Sequence, residues 1–87
     1  MKTIWKYALS INVSTEVSMP GGADLRAVAV QGDNNFISLW AEVDPMATPQ
    51  TRHFFVVGTG HEFAGGARYV GTALDRDGFV WHVYERD

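Results

Sequence analysis

No stretch of about eleven or more residues in this 87-residue chain carries the apolar period of a helix. Apolar residues alternate instead, in short runs cut by Gly, Pro, Asn and Asp. Period two puts one row of side chains on each face of a strand, so the chain has to build its core from sheets. Thr3–Leu9 places Trp5, Tyr7 and Leu9 on one face, and Val13, Thr15, Val17 and Met19 alternate with Ser14, Glu16 and Ser18 up to Pro20-Gly21-Gly22. Leu25–Gln31 sets Val28 and Val30 against the small Ala27 and Ala29, a face suited to a close neighbour. Gly32-Asp33-Asn34-Asn35 reads as a hairpin turn into Phe36–Val43, where Ile37, Leu39, Ala41 and Val43 form the better core row. After a loop with two prolines, Arg52–Val57 is apolar on both faces and stops at Gly58-Thr59-Gly60-His61. Arg68–Leu74 and Phe79–Glu85 flank Asp75-Arg76-Asp77-Gly78, a four-residue hairpin loop. The expected fold is all-β, a small antiparallel sandwich or partly closed barrel of six to seven short strands without substantial helix. Phe36–Val43 and Arg52–Val57, the most apolar strands, are expected at the centre of a sheet, with both faces of Arg52–Val57 covered.

A chain of this length buries only about 60–65% of the surface its unfolded form exposes, which supports one core and a single domain, 1–87. There is no Cys, so neither disulfides nor thiolate metal ligands assist that core. Five Phe, three Trp and three Tyr supply the apolar area instead. Ten acids against seven bases, mixed without runs, argue against affinity for nucleic acid phosphates and leave a basic protein partner open. No apolar run approaches the ~18 residues of a membrane span, and Met1–Lys6 lacks a signal-peptide core, so no membrane association is expected and the cytoplasm is the expected compartment.

Chemistry-bearing residues are sparse. Gly58-Thr59-Gly60-His61 has the glycines of an anion-cradling loop but lacks its Lys and following helix, so it reads first as a turn. His61-Glu62, with His53 or His82, offers an acid–base or metal pair, yet the three histidines lack a ligand spacing such as His-x-x-x-His. No serine sits in a nucleophile-elbow context. No catalytic residue, metal or cofactor is therefore expected, and His82, beside Val80 and Tyr84, reads as a packed, hydrogen-bonded imidazole. The binding candidates are Phe36 and Trp40, projecting away from the Leu39 face, then Trp5 and Trp81, and finally His61 and Glu62 for a small ligand.

Six segments spread over nearly the whole length serve as landmarks: Ile4-Trp5-Lys6-Tyr7, Met19-Pro20-Gly21-Gly22-Ala23, Leu39-Trp40-Ala41-Glu42-Val43-Asp44-Pro45, Gly58-Thr59-Gly60-His61, Tyr69-Val70-Gly71-Thr72 and His82-Val83-Tyr84-Glu85. In these segments and their order the chain resembles a small family of uncharacterised proteins found in tailed bacteriophages and prophages. The chain departs from the family pattern at Glu62-Phe63-Ala64-Gly65-Gly66. The resemblance implies a phage or prophage setting in a host bacterial cytoplasm, with no assigned reaction. The expected function is binding to a host or phage protein, as an inhibitor of a host enzyme or defence complex. The alternatives are a minor virion or assembly component and a small-ligand protein centred on His61. A homodimer is expected as well, through Trp40 and Phe36 or through open edges at Thr3–Leu9 or Phe79–Glu85.

Overall fold

The computed structural model describes residues 1–87 as seven strands and no helix, so no helix is long and apolar enough to cross a membrane. The strands are β1 (Thr3–Ser10), β2 (Thr15–Pro20), β3 (Asp24–Ala29), β4 (Phe36–Val43), β5 (Pro49–Gly58), β6 (Arg68–Leu74) and β7 (Val80–Arg86). They form two antiparallel sheets, ordered β1-β4-β3 and β2-β5-β7-β6, stacked as an open sandwich and not as a closed barrel. The short dimension is 17 Å, room for two sheets about 10 Å apart with one layer of side chains between them.

That layer is supplied by the alternating rows. Ile37, Leu39, Ala41 and Val43 of β4 are fully buried and meet Leu9, Val17, Met19, Phe54, Ala73 and Val83. β4 and β5, expected at the centre of a sheet, are both inner strands, but of different sheets. A strand flanked on both sides with its inner row in the core becomes apolar whichever sheet it joins, so composition alone does not pair two such strands. β7 is likewise an inner strand, hydrogen-bonded to β5 and β6, and Phe79–Glu85 offers no free edge. The edges are β1 and β3 in one sheet and β2 and β6 in the other.

Three strand limits differ from the alternation pattern by two residues or more. β5 starts at Pro49, which stands opposite Pro20 of β2, so the second proline belongs to the strand and not to the loop. β2 starts at Thr15, because residues 11–14 carry the chain from one sheet to the other; there the Thr15 hydroxyl accepts the Ser10 amide at 3.0 Å. β3 ends at Ala29 and contains a bulge between Leu25 and Ala27. β6 has a matching bulge between Tyr69 and Gly71. Bulges twist an edge away from further pairing, and these two lie on the edge strands that meet across the sandwich. The close approach falls on the valine face of β3, not on its alanine face: a Cβ at Gly71 would stand 2.7 Å from Val28 Cγ2.

Polar groups close both ends of the core. At one end the inward-facing Arg52 of β5 grips Glu85 of β7 through two bonds, 2.6 and 2.8 Å, and donates a third, 2.8 Å, to the Ala23 carbonyl ahead of β3. At the other, the buried Asp75 accepts the indole N–H of Trp81 at 3.0 Å and the amides of Asp77 and Phe79, which shapes the β6–β7 hairpin.

Candidate functional site

β5 and β6 both run antiparallel to β7, which lies between them, so they run parallel to each other. A link between parallel strands has to travel back along the sheet, and with the core on the inner side residues 59–67 take the outer face. The strap begins with a tight turn in which the His61 amide bonds the Gly58 carbonyl at 3.0 Å. Gly60, at φ 87°, fills the position of a type II turn that requires a positive φ. Thr59 then meets His82, its Oγ1 2.8 Å from Nε2, while Thr72 holds Nδ1 at 3.1 Å and Tyr69 holds Thr72.

Farther along, the strap lays Phe63 on an aromatic row built by strand register. Phe55 of β5 stands opposite Tyr84 of β7, and Tyr84 opposite Tyr69 of β6. Phe55 and Tyr84 stack at 5.6 Å with a 16° tilt, Tyr69 meets Tyr84 edge-on at 5.7 Å, and Phe63 sits 4.8 Å from Tyr84 and 6.0 Å from Phe55. Arg86 lies over the Phe55 ring, 4.5 Å from its centroid. Arg52 and Arg68 both pair with Glu85, whereas Arg86 has no carboxylate partner. Phe63 and Tyr69 keep 45% and 59% of their surface in solvent, so the row is an open platform and not a second core. The outer face of β5, expected to be covered, is covered only at Val57.

The residues singled out by sequence are dispersed. Phe36 and Trp40 lie on the outer face of the three-stranded sheet, Phe36 exposed and Trp40 half-buried. Lys6, opposite Trp40, reaches across β4 to Gln31 at 2.8 Å, and Ser38, on that same outer face, keeps only 8% of its surface. Trp5, opposite Ala41, faces inward at the end of β1 near Pro20, Pro45 and Pro49. Trp81 faces inward on the other sheet. His61 joins Trp81 over Gly58, while Glu62 is exposed on the strap. The four expected dimer residues therefore form no single patch. Phe55, Phe63, Tyr69, Tyr84 and Arg86 were missed, because only the β5-β7-β6 order places them side by side.

The chain is thus a seven-stranded antiparallel sandwich that carries its main aromatic platform on the outer face of the larger sheet. It matches the family described as Domain of unknown function (DUF7352) over residues 1–87, and belongs to it. No curated protein and no solved structure matches the chain.

Proposed function

We propose that this protein is a non-enzymatic binding module that docks the outer face of the four-stranded sheet onto another protein. The observation that carries this reading is the Phe55–Tyr84–Tyr69–Phe63 cluster with the unpaired Arg86 at its border. Aromatic residues and Arg are the types that dominate binding energy at protein interfaces, because they bring large area with few rotors. The partner we infer presents an apolar side chain to the rings and a carboxylate to Arg86. The setting we propose is a bacterial cytoplasm, with the chain as a phage or prophage accessory protein that blocks a host enzyme or defence complex. The landmark segments from Ile4-Trp5-Lys6-Tyr7 to His82-Val83-Tyr84-Glu85 support that setting by resemblance.

A photo-crosslinking amino acid at Tyr69, compared with one at Ile4 on the opposite outer face, tests the assignment in bacterial cells. We expect one adduct of defined mass from position 69 that disappears when Arg86→Glu is added, with the melting temperature of the protein unchanged. Adducts of equal yield from position 4, or an adduct at 69 indifferent to Arg86→Glu, overturn the reading.

A further inference from the structure

Where β5 leaves the sheet, Gly58, Thr59, His61, Gly78, Phe79, Val80 and Trp81 enclose a half-open cleft of about 430 Å³, a volume in the range of small-molecule sites. Gly58 is its floor. A Cβ there would stand 2.9 Å from the His61 ring and 3.1 Å from Trp81, so glycine is what lets the imidazole and the indole close over the backbone together. Phe79, just ahead of β7, adds a third ring, 6.3 Å from Trp81 at 42°, and leaves 62% of its surface in solvent. The Trp81 ring is fixed from behind by the Asp75 carboxylate.

Polar groups around the cleft are nearly all engaged. Thr59 N–H bonds Val80 O, His61 N–H bonds Gly58 O, Gly78 N–H bonds Asp75 O, Phe79 O accepts Asp75 N–H, and the Thr59 hydroxyl is held by His82. The side-chain nitrogens of His61 have no hydrogen-bond partner within the protein, and no Asp, Glu, Lys or Arg lines the walls.

We infer that this cleft binds a small, neutral, planar heteroaromatic molecule, stacked among Trp81, Phe79 and His61 and hydrogen-bonded to the His61 imidazole. Absence of lining charge disfavours an ionic ligand, since its desolvation would go uncompensated. Three aromatic walls favour a flat ring, which buries both faces at once. One uncommitted donor–acceptor side chain fixes a single polar contact. The inference is independent of the aromatic platform, which it shares no residue with.

Amide-resolved NMR titration of the full chain with adenosine, nicotinamide and caffeine tests it, with adenosine monophosphate as the charged counterpart. The expected result is saturable shifts at Gly58, His61 and the Trp81 indole N–H with at least one neutral probe. His61→Ala should weaken that probe about fivefold, the worth of one hydrogen bond, and the added phosphate should weaken adenosine binding. Phe79→Ala, at a solvent-exposed ring, provides a second variant expected to fold and to lose binding. No saturable shift with any of the three, shifts centred elsewhere, or binding unaffected by both substitutions overturns the inference.

Discussion

Tyr7 shows how one atom is placed at a cost. Its ring packs against the core on the inner face of β1, opposite Leu39, and its hydroxyl is withdrawn from water with no hydrogen-bond partner. Burial also pushes its ionisation above the ordinary phenol value. A hydroxyl taken out of water without a partner costs about 1–3 kcal/mol, and the ring loses nothing when the oxygen is removed. Tyr7→Phe is therefore expected to stabilise the fold by about 1 kcal/mol, a rise of roughly 4–8 °C in melting temperature for a domain of this size. A thermal scan of the two proteins reads it directly, and a lower melting point for the phenylalanine variant would show that the hydroxyl is satisfied in solution. Asp75 is the opposite case. The Trp81 indole, followed by the Phe79, Asp77 and Gly78 amides, holds its carboxyl below the usual range, so this buried acid is fully partnered and specifies the turn.

Among the elements, β3 and β6 set how closely the two sheets approach. Each is an edge strand with a bulge, and the two meet where Val28 presses on the backbone at Gly71. Gly71 is thus needed for space and not for a special dihedral, since it is not among the positive-φ glycines. A methyl at this point forces Val28 aside, and overpacking of this kind costs about 1–3 kcal/mol. Gly71→Ala should lower stability by that amount, and the loss should shrink clearly in a Val28→Ala background, where the obstructing methyls are gone. Urea unfolding of the four proteins in the cycle measures the coupling. Strictly additive losses would show that the sheets relax apart instead.

Across the whole molecule, the Arg52–Glu85 pair joins the two middle strands of one sheet and, through Ala23, ties them to the other. Glu85 keeps 5% and Arg52 16% of its side-chain surface. The Arg52 hydrogen bonds, aided by Arg68, hold the Glu85 carboxyl below its ordinary value of 4.5, and the same bonds raise Arg52. A depressed carboxyl binds its proton less readily folded than unfolded, so its stabilising contribution is complete well above pH 4.5 and is lost as pH falls through the lower, folded value. The melting temperature should accordingly decline on acidification below about pH 5. Glu85→Gln should remove most of this group's share of the slope and cost about 3 kcal/mol at neutral pH, because Arg52 is left without its counter-charge. Melting curves from pH 7 to pH 3 on both proteins check the two effects together, and parallel slopes would assign the acid sensitivity to other carboxyls.

The local pattern determined the strands. Alternation marked the Ile37–Val43 core row, Gly, Asp and Asn marked the β3–β4 hairpin and Asp and Gly the β6–β7 hairpin, and these features act between residues close in the chain. Such a pattern carries no information about which strands become neighbours across long loops. Phe55, Tyr84 and Tyr69 were each visible as strand aromatics, yet they become a platform only because β7 inserts between β5 and β6. The same insertion sends the 59–67 strap over the outer face and delivers Phe63 to the rings. His61 and Trp81 were likewise legible as single residues, but the glycine floor that brings them together at Gly58 follows from the β5–β7 register. Coverage of both faces of Arg52–Val57 was legible, but the partner that makes a buried Arg52 tenable, a glutamate 33 positions away, was not, because only the pairing of β5 with β7 brings it alongside. The sequence settles the local conformations through short-range sterics and period two, whereas the pairing of distant strands rests on the collective burial of one core, which only the assembled sandwich decides.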